Sequence, residues 1–130
     1  MTMRMGGCLC GAVRYETRVL EDQVLSCHCG QCARTSGHHA VMVACDDAGP
    51  VVDDAKAKLR WYRSSPQADR GFCSGCGGNL FWRDLATGRS YVTLGTLDRP
   101  TGLAISRHIF VQSKSDYYEI TDGLPQSAEW

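Results

Sequence analysis

Phe72-Cys73-Ser74-Gly75-Cys76-Gly77-Gly78 reads as a metal knuckle, two cysteines two residues apart in a turn kept tight by glycine. Amides in such a turn can point at sulfur and stabilise thiolate charge. A pair of thiolates is half of a closed site, and Gly7-Cys8-Leu9-Cys10-Gly11 supplies the other half. Side chains at i and i+2 of a strand share a face, so Cys8 and Cys10 can reach one ion together. Four thiolates around one zinc would join segments more than 60 residues apart. Closing so long a loop turns metal affinity into folding free energy. Tetrahedral sulfur coordination suits zinc, although the spacing alone also allows an iron–sulfur cluster.

The middle cluster, Cys27-His28-Cys29-Gly30-Gln31-Cys32, has one cysteine too few to close a site. Three protein ligands leave a position for chemistry, whereas four make a structural site. The fourth place could go to His28, His38, His39, Cys45, water or a substrate atom. His28 lies between two ligands on an extended segment, so its ring points away from them, either packed or supporting the ligands. His38 and His39 follow a glycine turn and read as surface residues, while Cys45 reads as a small buried hydrophobe. Three thiolates give zinc a net charge of about −1, which blunts water activation. Such a centre is better suited to holding an incoming thiol as thiolate.

The chain of 130 residues is expected to form a single domain over 1–130, small enough to gain from a metal staple. Its 14 basic and 14 acidic residues balance, which argues against a nucleic-acid partner. Met1 to Gly6 lacks the apolar stretch of a signal peptide, and the longest apolar run, Ala40 to Cys45, is too short to span a membrane. A soluble, cytoplasmic protein is expected. Eight cysteines could instead form disulfides, but a reducing compartment and close cysteine spacing favour metal.

Turn residues recur about every ten positions and no helical stripe appears, so the expected fold class is mainly β. Strands are predicted over Gly11–Glu16, Ala40–Cys45, Leu59–Arg63, Asn79–Arg83, Ser90–Leu94 and Ser106–Val111. Short helical pieces are predicted over Gly30–Ser36 and Ser115–Tyr118. Trp61, Tyr62, Phe81 and Trp82 fall in strands and read as sheet-face or core residues.

Together these motifs resemble the glutathione-dependent formaldehyde-activating enzyme family, which includes centromere protein V. The resemblance rests on Gly7–Gly11, Cys27–Cys32, Ser36-Gly37 and Arg70–Gly77, with His108–Lys114 and Asp122–Pro125 towards the end. It implies a β-tent fold and two Zn2+ sites. Cys8, Cys10, Cys73 and Cys76 would hold a structural zinc, and Cys27, Cys29 and Cys32 a catalytic one. It also implies a carbon–sulfur lyase of the S-hydroxymethylglutathione synthase type, joining glutathione and formaldehyde.

The two carboxylates of glutathione call for cationic partners, and Arg34, Arg70, Arg107 and Lys114 lie in or near the matching motifs. Each could equally be a solvated surface charge. His28 and His108 are candidates to support the open site, His108 as a proton shuttle. The alternative to an enzyme is a non-catalytic zinc module whose sites maintain a binding surface. The incomplete triplet favours the enzyme.

Overall fold

A computed structural model describes residues 2–130. These form a mainly β structure of nine strands, with one short helix and two 3-10 turns. The strands are β1 Met3–Gly7, β2 Arg14–Cys27, β3 Ala40–Cys45, β4 Val51–Asp53, β5 Leu59–Ser65, β6 Ala68–Cys73, β7 Asn79–Asp84, β8 Ser90–Thr93 and β9 Arg107–Ile109. The helix α1 covers Gly30–Ser36, and the 3-10 turns are Leu94–Thr96 and Val111–Ser113.

Strand β2 is the spine. Its first half lies between β1 and β4, and its second half between β3 and β9, the last pairing being parallel. A register shift between Val19 and Val24 separates the halves. In the first half Tyr15, Thr17 and Val19 are buried, with exposed Glu16 and Arg18 between them. From Val24 to His28 every residue is buried, as a strand covered on both faces requires. The sequence predicts this strand over Gly11–Glu16, but it starts at Arg14 and runs to Cys27. Gly11 adopts φ 78° and closes a turn with its amide on the Cys8 carbonyl, which holds the preceding residues out of the strand.

The main path of the sheet is β1-β2-β3-β8-β7-β6-β5. β1 and β6 stand far apart on that path, yet Cys10 Sγ lies 3.7 Å from Cys73 Sγ, so the sheet curls until its ends meet. The concave side holds the larger core, where Tyr15 of β2 meets Phe81 of β7 edge-to-face at 5.2 Å. Val13, Val24, Val43, Leu80 and Val92 are fully buried there, each contributing about 1.5–3 kcal/mol. Gly6 permits the tight approach of β1, because a Cβ would come within 2.5 Å of the Thr96 carbonyl and the Tyr15 ring. A second cluster around Leu25, Met42, Tyr91 and Ile109 packs behind the cysteine triplet.

The expected helix over Ser115–Tyr118 is absent, and a turn takes its place. Four residues cannot nucleate a helix unaided. Here Lys114 Nζ also donates to the Ser115 and Tyr118 carbonyls, while the hydroxyls of Tyr117 and Tyr118 bond to histidines. Three further strands, β1, β4 and β6, lie where the sequence predicts none.

Candidate functional site

Seven cysteines gather into two clusters. Cys8, Cys10, Cys73 and Cys76 form one, and Cys27, Cys29 and Cys32 the other, with the sulfurs of each within 4.8 Å of one another. All eight cysteines are free thiols. Cys45 joins neither cluster. It is fully buried between valines of the core, and that burial raises its thiol pKa.

The quartet links the β1–β2 turn to the β6–β7 knuckle. Cys8 Sγ is 3.6 Å from Cys10 Sγ, which is 3.7 Å from Cys73 Sγ. Four sulfurs about 2.3 Å from one zinc stand about 3.8 Å apart, so this spacing fits a tetrahedral ion. Backbone amides also serve thiolate charge there. The Val13 N–H donates to Cys8 Sγ at 3.4 Å, and the amides of Cys10 and Gly78 bring the Cys76 thiol down to about 6. Gly77, at φ 76°, gives the knuckle its left-handed step, and its N–H donates to the Cys73 carbonyl.

The triplet sits where β2 gives way to α1. Cys27 is the last residue of β2, held between Ala40 of β3 and Ile109 of β9. Cys29 caps the helix, its sulfur accepting from the Cys32 amide at 3.3 Å. The thiols of Cys27 and Cys32, with the amides of Cys32 and Gln31, pull the Cys29 thiol far below its usual range. Cys27 is pushed far above its own by Cys29, Cys32 and burial. Three close sulfurs can thus carry one negative charge by sharing protons, and a soft dication is the group that lets all three ionise. The donor set fits zinc.

All three triplet cysteines line a cavity of about 630 Å3. Its apolar wall is Met42, Ala68, Trp82, Phe110 and Trp130, and Gln31, Gln67 and Arg70 are among its polar lining. The guanidinium of Arg70 lies 3.7 Å from Cys32 Sγ and donates to Ser64, Thr35 and Gln31 oxygens. Among the described residues it makes no ion pair. Of the four cations expected near a substrate, only Arg70 reaches the cavity. Arg34 is exposed on the last turn of α1. Arg107 donates to the Ser127 hydroxyl, and Lys114 lies over the Tyr118 ring at 4.6 Å.

His28 and His108 do not line the cavity. Both are buried and belong to a hydrogen-bonded chain that runs out to half-buried Tyr118 and exposed Asp122. Asp122 Oδ2 bonds His108 Nε2 at 2.8 Å, His108 Nδ1 bonds His28 Nε2 at 2.9 Å, and His28 Nδ1 bonds the Tyr118 hydroxyl. The Ser26 hydroxyl joins His28 to His39, and His38 bonds the Tyr117 hydroxyl. Every histidine of the chain is in this group. Burial, followed by the nearby His39 and His108, lowers His28 to about 4, so its ring is neutral at pH 7. His38 is exposed, as the sequence reading has it, and His39 is half-buried; both also have partners in this network.

The sequence reading missed the aromatic wall. Trp82 could have been found by strand period, since it points opposite to buried Phe81 on β7. Trp130 carries no local signal. It reaches the cavity because residues 127–129 pair with Phe110, Val111 and Gln112.

The family model described as glutathione-dependent formaldehyde-activating enzyme matches residues 3–113. The chain belongs to that family. Across 77 residues this family member is 29% identical to an uncharacterized lyase of Schizosaccharomyces pombe, covering 59% of the chain. The match takes in 55% of the relative, so the chain spans about half the length of that curated protein. A crystal structure of a Rhodobacter sphaeroides protein shares the fold, with a TM-score of 0.61 at 24% identity. That likeness covers 75% of this chain and 91% of the other. The mainly β fold expected from the family is thus the fold of the chain.

Proposed function

We propose that the protein is a zinc-dependent carbon–sulfur lyase that makes or breaks the adduct of a thiol with formaldehyde or a similar small carbonyl compound. The observation carrying this reading is the placement of three cysteines, one short of a closed site, on the wall of a ligand-sized cavity. Family membership and the lyase relative support it. Cys8, Cys10, Cys73 and Cys76 would hold a structural zinc, and Cys27, Cys29 and Cys32 a second one facing the cavity. Zinc bound at the triplet supplies a soft centre with a free coordination position, at which a thiol loses its proton near neutral pH.

The protein's own residues supply the rest. The Cys32 and Gln31 amides direct their dipoles at Cys29, and Arg70 adds positive charge beside Cys32, so negative charge on the sulfurs is balanced locally. Met42, Trp82 and Phe110 exclude water, which strengthens those interactions and protects the adduct from hydrolysis. In the forward direction a sulfur lone pair forms the C–S bond to the carbonyl carbon. The carbonyl π pair moves to oxygen, which takes up the proton that the thiol lost. The lyase direction reverses each movement.

Exchange NMR with carbon-13 formaldehyde and a small thiol tests this reading. Zinc-loaded protein should accelerate exchange between free formaldehyde and the hydroxymethyl thioether, and Cys32→Ser should abolish the acceleration. An unchanged exchange rate with zinc-loaded wild type would leave a non-catalytic zinc module as the better description.

A further inference from the structure

We propose that the cavity over the triplet selects an aryl-bearing thiol with at most one carboxylate, in preference to the tripeptide glutathione. This inference rests on the triplet being a thiol-binding zinc site and concerns the body of the molecule attached to that thiol. Trp82 and Trp130 stack at 5.9 Å between centroids with planes 21° apart, and Phe110 meets Trp130 at 6.4 Å and 64°. Rings that served only to seal a core would leave no cavity of about 630 Å3 between themselves and the cysteines. Trp130 also remains 54% exposed, with ring surface to offer a ligand. Phe110 holds the left-handed φ of 56°, a conformation a bulky residue adopts only when its surroundings impose it. Its amide donates to the Glu129 carbonyl, so the pairing that fixes this backbone also brings in Trp130.

The charges point the same way. Glutathione carries two carboxylates and an ammonium, and each needs a partner when it leaves water. Among the described residues Arg70 is the one charged side chain on the cavity wall, and no acidic side chain lines it to receive the ammonium. A single carboxylate at Arg70 is the most the wall can neutralise. A phenyl ring instead finds an edge or face among Trp82, Phe110 and Trp130, an interaction worth on the order of tenfold in affinity.

Isothermal calorimetry on zinc-loaded protein tests this with 2-phenylethanethiol, 2-mercaptoethanol, glutathione and the thiol-free 3-phenylpropanoate. The expected order places 2-phenylethanethiol about tenfold tighter than 2-mercaptoethanol, and tighter than glutathione. Trp130→Ala should erase most of that preference while leaving 2-mercaptoethanol affinity within about twofold. Trp82→Leu provides a second variant should the first not fold. Glutathione binding tighter than the aryl thiol, or an aryl preference that survives both substitutions, would overturn the proposal. Binding of 2-mercaptoethanol without either aryl probe would also overturn it and leave the zinc–thiol reading standing. Binding of 3-phenylpropanoate with no thiol binding would overturn the proposal together with the zinc–thiol reading, and leave an aryl carboxylate site. No binding by any probe would overturn both.

Discussion

Cys29 and His28 are adjacent, yet their side chains serve opposite sides of one extended stretch. The cysteine faces the cavity, and the imidazole anchors the same backbone from behind through His108, Ser26 and Tyr118. Both histidine rings are almost fully buried, and the His28 N–H at the head of α1 donates to the Ile109 carbonyl. This places His108 as a tether for the β2–α1 junction, outside the lining of the cavity. His108→Leu should therefore leave His28 short of a buried partner and cost about 2 kcal/mol of stability, read by urea denaturation. Thiol affinity of the folded, zinc-loaded variant should change less than threefold. A large loss of affinity with unchanged stability would instead give His108 a direct part in ligand binding.

At the scale of elements, the quartet and the triplet do different jobs because of what each connects. The quartet joins two ends of a curled sheet, from the turn before β2 to the knuckle after β6, across 63 residues. The triplet spans six residues around one helix start. Cys73→Ser should therefore lower the thermal midpoint severely or prevent folding, while Cys29→Ser should cost at most about 2 kcal/mol while abolishing thiol binding. Equal thermal losses in the two variants, measured by circular dichroism, would contradict this division. The cysteine spacings made both clusters legible in the sequence, since local i, i+2 and i, i+3 patterns survive any fold. Strands β3, β7 and β8 were legible for the same reason, being short, apolar and bounded by turns. Strand β1 was hidden by Gly6 and Gly7, whose value lies in close approach, of Gly6 to Tyr15 and of Gly7 to Arg14 and the Val13 carbonyl. Strand β6 was hidden by Gly71 and by charged residues that pair with its neighbours, as Asp69 does with Arg63. His28 and His108 were singled out in the sequence, but their pairing with each other and with Tyr118 was not legible, because those bonds cross 80 to 90 residues and leave no periodic trace.

For the molecule as a whole, the curl of the sheet couples metal binding to folding unevenly. A strip of strands is free to open at its ends unless something holds them together. In this chain the core pair Tyr15–Phe81 and the cysteine quartet lie in one core cluster, so a metal at the quartet would share that task. A metal at the triplet would add nothing to that closure, since Cys27 is already fixed by backbone pairing on both sides. Among the described residues no helix is long and apolar enough to cross a membrane. Stepwise chelation should expose this asymmetry. Two zinc ions per chain are expected by elemental analysis, and the first should leave with the far-ultraviolet circular dichroism unchanged but thiol binding lost. Removal of the second should coincide with loss of the β signal, as for other small domains in which metal affinity is folding free energy. Both ions leaving in one step together with the β signal would mean that the triplet, too, holds the fold.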